Sequence, residues 1–374
     1  MRTAITSNTN PESAESALGS ASLAGADGWL FTAGIIPERR GSLQSEAHQI
    51  YQTAASLLHE AGASLSDAVR VRLWHTEPGG EAALKRVHSV LFDDPGPALS
   101  IVRISGLHNN TKVAMEVEAV RDSAGRPRHH APAEGEGWSR GLRLDDHVWI
   151  SGITASGTDL EQQARSALRD VEDACEGLGV EPADIISTRH FIARSAHGQP
   201  LPAELPELMG HGEPTSAGIT VEDTGAEDSL FAFECEAVSG ASGEARRVRT
   251  GRTYEVENHY SRSVRVGGVT RVAGTTSIVV GEEVRHPGET RGQVFDSLET
   301  IRWAVDEQGM RPADIVQARA YVVGGSDALK EAAGALKEGL DDVEAAIALI
   351  AVPILGRPEV VVEIEATALA GYGR

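Results

Sequence analysis

Apolar and polar positions along the chain follow one order three times. Short β-rich runs that end in glycine, WLFTAG at 29–34, HVWISG at 147–152 and VTRVAG at 269–274, read as strands entering a turn. Each is followed by an apolar stripe at helical spacing. In the first copy the stripe is Ile50, Ala54, Leu57, Leu58 and Ala61. In the second it is Leu160, Ala164, Ala167, Val171, Ala174 and Leu178, and in the third Val294, Leu298, Ile301, Ala304 and Val305. Gly62, Gly179 and Gly309 stand where a helix ends on a left-handed residue. An aspartate and a further strand come next: VRVRLW, IISTRHFI or IVQARAYVV. The expected order per copy is two strands, helix, strand, second helix and two strands.

Fixed anchors make this a repeat rather than a recurring style. Gly62, Asp67 and Arg72, then Gly179, Asp184 and Arg189, then Gly309, Asp314 and Arg319 share the spacing G-x4-D-x4-R. Each copy closes on an E-x-E-A strand at an almost constant distance beyond the arginine: Glu116 and Glu118, Glu234 and Glu236, Glu363 and Glu365. The expected boundaries are a mobile N-terminus at 1–20, copies at 21–121, 138–238 and 254–374, and linkers at 122–137 and 239–253, which are rich in glycine, charge and small residues.

Composition narrows the function. A net charge of −21 over 374 residues argues against nucleic acid and against an anionic membrane face. Cys175 and Cys235 form no CxxC pair, and no His/Cys/Asp set has metal spacing. No signal-peptide core or membrane-length apolar run is present, so the reading is a soluble cytoplasmic protein without a cofactor. Its expected partner is a small molecule, and its expected state is a monomer or weak homodimer.

Residues 260–368, with YSRSVRVGG, VTRVAGT, the long helix, Asp314-IVQARAYV and the closing VEIEA, resemble the RidA/YjgF family of imine and enamine deaminases. The first two copies are similar at the same landmarks. The resemblance implies an α+β fold of three chorismate-mutase-like domains forming an intramolecular pseudo-trimer, sheets inward and helices outward, with sites in the clefts between copies. It implies that the first glutamate of each pair (Glu116, Glu234, Glu363) serves as acid or base in a cleft. The second is expected to lie on a solvated face. It also assigns substrate contacts to Tyr260 and Ser261 and, in the second copy, to Trp138 and Ser139, where the indole reads equally as an interface plug. The family's carboxylate-gripping arginine falls on Leu99, Ser216 and Ile347, none of them basic. Arg103, Arg143 and Arg357 are the other candidate cations, each read as a surface residue in the plainer alternative. The repeated arginines are expected to tie strand to turn. His75, His88 and His190 are expected to be satisfied structural histidines. Cys235 alternates with the glutamates and should face the helices.

The implied function is an enzyme acting on an imine, enamine or related unsaturated small molecule by water addition, deamination, tautomerisation or cyclisation, in a specialised biosynthetic pathway. A non-catalytic binding or structural module is one alternative. The other is a chorismatase-like hydrolase or lyase, because chorismatases also resemble fused chains of this kind.

Overall fold

The computed structural model describes residues 2–6, 21–131, 137–202 and 212–373. Its strands form three six-stranded sheets. The first holds β1 (Thr3–Ile5), β2 (Leu23–Ala26), β3 (Trp29–Thr32), β4 (Ala68–His75), β5 (Ala98–Arg103) and β6 (Val113–Val120). The second holds β7 (Arg128–Ala131), β8 (Gly141–Leu144), β9 (His147–Thr154), β10 (Ile185–Ala193), β11 (Thr215–Val221) and β12 (Phe231–Val238). The third holds β13 (Arg246–Val248), β14 (Ser263–Val266), β15 (Val269–Thr275), β16 (Ile315–Val323), β17 (Ala346–Val352) and β18 (Val362–Leu369). All three have one order, β1-β2-β3-β6-β4-β5 in the first, so the repeat is one of topology. Within each, β4–β5, β10–β11 and β16–β17 are the parallel pairs.

The sixth strand comes from segments expected to be unstructured. β1 lies in the N-terminal stretch, and β7 and β13 lie in the two joins. The rest of that expected mobile stretch, 7–20, is outside the described residues.

Helices α1 (Leu43–Glu60), α2 (Glu81–Leu91), α3 (Leu160–Leu178), α4 (Thr290–Glu307) and α5 (Ser326–Gly339) cover one face of their sheets. The stripes predicted for α1, α3 and α4 are all buried. Ser42 and Asp159 cap α1 and α3 by accepting from the backbone N–H of Ser45 and Gln162. Gly62, Gly179 and Gly309 are left-handed, with φ of 72°, 69° and 70°. The residues at 203–211, where the second helix of copy two would fall, are outside the described set.

The repeated aspartates fasten two segments each. One oxygen of Asp67, Asp184 and Asp314 accepts from the N–H of Ser64, Glu181 and Arg311, closing a 3-10 turn. The other accepts from Ala124, Ser242 and Gly373, just past each closing strand. Asp314→Ala strands both donors and should cost about 1–3 kcal/mol in urea unfolding.

The face of each sheet opposite the helices meets the other two copies, through buried ion pairs beside an apolar cluster that all three copies build, Trp74, Phe191 and Tyr321 among its members. Arg72 Nε donates to Glu234 at 2.9 Å, Arg189 Nε to Glu365 at 2.9 Å, and Arg319 Nε to Glu116 at 2.9 Å. Copy one therefore reaches copy two, two reaches three, and three reaches one. Arg189 also bonds Glu234, and Arg319 bonds Glu365 at 2.9 Å, within their own copies. The repeated arginines thus tie copy to copy rather than strand to turn. Burial alone would raise the Glu365 carboxyl, but Arg189 and Arg319 outweigh it and hold it near 2. Ser100, Trp74 and Tyr321 donate further bonds to Glu234, Glu116 and Glu365.

A second ionic layer lies beside the ring. Arg271 bridges Glu118 and Glu236 at 2.6 Å each. The expected solvated face for the second glutamates is therefore overturned: Glu118, Glu236 and Glu365 are 4%, 2% and 7% exposed. Glutamate tolerates such burial when it is paired. Cys235 faces α3 as expected, beside Cys175, and burial raises both thiols. A void of about 30 Å³ remains between the layers, too small for a metabolite.

Candidate functional site

The copies meet at three corresponding seams. Ser139 N donates to Pro97 O at 3.1 Å, Ser261 N to Pro214 O at 2.8 Å, and Ala21 N to Ala345 O at 3.1 Å. Ser139 and Ser261 are fully buried and staple one copy to the strand of the copy before it; they line neither cavity described below. At the seam between copies three and one, Gly34 packs on Ala348, and Ile347 is buried in the core of copy three.

The seam between copies two and three opens into a cavity of about 350 Å³, within the range of metabolite pockets. Copy two supplies His190, Leu201, Ser216 and Gly218. Copy three supplies Tyr260, Arg262, Gly274, Arg357 and Glu363. The short helix at Thr253–Glu257, next to a predicted linker, adds Tyr254, with Arg252 as its N-cap. Four of the residues singled out from sequence, Glu363, Tyr260, Ser216 and Arg357, therefore come together here.

Glu363 is not the counterpart of Glu116 and Glu234. In the β ladder Arg72 faces Glu116 and Arg189 faces Glu234, whereas Arg319 faces Glu365. The closing strand of copy three is thus displaced by two residues relative to the motif. Glu363 faces Tyr321, where the other copies have Ala114 opposite Trp74 and Ala232 opposite Phe191. Glu116 and Glu234, expected in clefts, stand in the ion ring instead, at 1% exposure each. Burial, and then the neighbouring Glu365 charge, push the Glu363 carboxyl up to about 8. Its carboxylate lies where a Cβ on residue 274 would be, which only glycine permits.

Arg262 organises the wall around Tyr260. Its Nε donates to Glu255 at 2.9 Å, one NH2 group to Gly274 O at 2.8 Å and the other to the Tyr260 hydroxyl at 3.2 Å. That hydroxyl accepts, which leaves its own proton free to donate. Burial raises the Tyr260 phenol, so it is a neutral donor. Burial first, and Arg262 next, lower Arg252 to about 10. Arg357 donates to Tyr254 Oη at 2.8 Å and to Glu282. The cleft therefore offers a proton-carrying carboxyl, a phenol and a cationic wall.

His190 was expected to be a satisfied structural histidine. Its Nδ1 is buried without a partner, its ring stacks on Phe231 at 6.0 Å, and burial lowers it to about 4. His75 approaches Glu81 at 3.3 Å, but both of its ring nitrogens are likewise buried without a hydrogen-bond partner, and His88 meets the Tyr51 hydroxyl at 2.6 Å through Nδ1 while its Nε2 is unpartnered. The sequence signal for His190 lay in the repeat, since the ladder aligns it with Leu73 and Ala320. Arg252 and Arg262 carry no repeated signal in the sequence: one sits in a join, and the other stands just before the opening strand β14.

The remaining candidates lie elsewhere. Leu99 and Trp138 line a smaller cavity between copies one and two. Arg103 pairs with Asp223 across that seam at 3.7 Å. Arg143 donates to the carbonyls of Leu178 and Gly179 at the end of α3.

Three sheets of one order, joined in a cycle with a ligand-sized cleft at a seam, define a fused three-copy α+β protein of the RidA/YjgF type. The chain belongs to the family described as "Endoribonuclease L-PSP", whose model matches residues 14–121 and 250–370. It is 29% identical over 101 residues to a RutC family protein of Pyrococcus abyssi, covering 25% of this chain and 80% of that one. It is 30% identical to the mitochondrial protein MMF1 of Saccharomyces cerevisiae over 101 residues, 25% of this chain and 70% of that one. Among solved structures, a chorismatase matches with a TM-score of 0.55 at 14% identity, over 81% of this chain and 93% of its own. That likeness is one of fold. No helix among the described residues is long and apolar enough to cross a membrane.

Proposed function

We propose that the cleft between copies two and three is a catalytic site acting on an imine, enamine or related unsaturated small molecule. The observation that carries this reading is Glu363: it alone of the three corresponding ladder positions is a carboxylate, and it stands in the wall of a metabolite-sized cavity. In the hydrolytic form Glu363, once ionised above about pH 8, takes a proton from water as the oxygen bonds to the imine carbon. The C=N electron pair passes to nitrogen, which takes that proton back from Glu363. Collapse of the carbinolamine then gives a carbonyl compound and releases ammonia or an amine. Tyr260 orients the substrate. Arg252 and Arg357 replace the missing family arginine as partners for an anionic group. The family's description names a ribonuclease, but a chain of net charge −21 is poorly suited to polyanionic RNA.

A chorismatase-like hydrolysis or elimination is the second reading. It is favoured by the arginines of the cleft, a set of cations suited to carboxylates, and by the chorismatase fold likeness. One experiment separates the readings. The purified full-length protein is given freshly generated imines and enamines, with and without a carboxylate, and ammonia release is followed. Chorismate loss is followed by absorbance in parallel. Ammonia release above the uncatalysed rate supports the first reading, and chorismate loss alone supports the second. No turnover of either class leaves a binding module and overturns the proposal.

A further inference from the structure

We propose that the outer edge of copy two is a docking point for a guanidinium group, supplied by an arginine side chain of a basic partner peptide. This does not depend on the function assigned to the cleft between copies two and three. A groove of about 410 Å³ lies here, walled by copy two and its edge strand alone. Pro127 and His129 come from the edge, Arg143 and Asp145 from β8 and the turn after it, and Glu176 and Gly179 from the end of α3.

Copy three shows what such a place holds. Arg143 of copy two donates Nε to Asp145 O and one NH2 group to Leu178 O, both at 2.8 Å. Arg265 of copy three makes the same two bonds, to Gly267 O at 3.0 Å and to Gln308 O at 2.6 Å. The two arginines are therefore counterparts. Across the ladder Arg143 faces His129, and Arg265 faces Arg246. In copy three both guanidinium groups gather at the helix end, where a Cβ on Gly309 would lie 3.9 Å from a nitrogen of each. Arg246 is thus the chain's own occupant of this place. In copy two the shorter imidazole of His129 leaves it open.

The electrostatics favour a cation. The C-terminus of α3, the negative end of the helix dipole, forms one wall, and its last turn holds no basic residue. Glu176 is exposed there, and among the described residues no cation pairs with it. Arg143 is spent on the carbonyls of Leu178 and Gly179. Arg126 pairs with Asp145 but is not part of the wall. The net charge of −21 draws basic partners in general. A guanidinium suits this place better than an ammonium. Its planar fork can lie against Arg143, as Arg246 lies beside Arg265, while it donates to Glu176.

The test is an NMR titration of the full-length protein with N-acetylarginine methylamide at about 0.15 M salt, where distant charges are screened. The citrulline counterpart, of the same shape without the charge, is the control. Neither carries a carboxylate, so the arginines of the cleft have nothing to hold. The amide signals of Glu176–Gly179 should shift saturably with the arginine compound, and the citrulline compound should bind at least tenfold more weakly. His129→Arg fills the groove and should weaken binding at least tenfold, a loss too large for one charge added to a surface of −21. His129→Ala keeps the groove open and should retain binding, and Glu176→Gln should weaken it severalfold. Both positions are exposed, so the variants should fold, which circular dichroism checks. The proposal is overturned if the arginine compound does not saturate, if citrulline binds equally well, or if His129→Arg weakens binding no more than His129→Ala does.

Discussion

Glu363→Gln should lower turnover of any substrate the cleft converts by about 100- to 10,000-fold, the usual worth of a positioned acid or base. The fold should survive, because Glu363 belongs to neither ionic layer. The pH dependence gives a sharper reading. If Glu363 is the base that accepts a proton from water, kcat/KM of the parent should rise as pH passes through about 8, where this carboxyl ionises. The glutamine variant should lack that limb. Stability carries the same signature with its own sign. The folded carboxyl holds its proton up to about 8, against 4.5 for an ordinary glutamate. Ionisation therefore opposes folding, and stability falls as pH rises between those values. Parent and Glu363→Gln should be about equally stable near pH 4, and the variant should be more stable by a few kcal/mol near pH 9. Equal stability at both pH values would show that the carboxyl is not buried as described.

Arg319→Met should destabilise the protein by about 3–5 kcal/mol, because Glu116 then stays buried beyond the reach of its principal cation. Arg319 gives Glu116 two nitrogens and also reaches Glu365. Adding Glu116→Gln removes the stranded charge while keeping an acceptor for Trp74. The double variant should therefore recover more than half of the loss. Urea unfolding of both variants decides the matter. A single-variant cost below about 1 kcal/mol would mean that the ring is not a principal tie between the copies.

The three-fold repeat was legible because its anchors serve backbone needs that recur. A left-handed helix end needs Gly62, Gly179 and Gly309, and a 3-10 turn needs Asp67, Asp184 and Asp314. The register of the closing strand was not legible. Side chains two apart on a strand share a face, so a slip of two residues leaves every inward and outward assignment intact. Only the cross-strand partner distinguishes Glu363 from Glu365, and that partner is set by pairing the sequence does not display. For the same reason the alternation gave the correct face for Glu118 and Glu236 but not what lay against it. Their partner Arg271 stands where the other copies have Phe31 and Trp149. Such odd-one-out positions, His190 among them, carried the functional information that shared motifs could not.

The cyclic ion ring has a consequence for how the molecule comes apart. Each third lends a guanidinium to the next, and its own carboxylate takes one from the third before it, so detaching any third leaves unmatched charge on both sides of the break. No third can melt while its neighbours remain content. Heat or urea should therefore take the whole chain through a single cooperative transition, although each sheet also has an apolar core of its own under its helices.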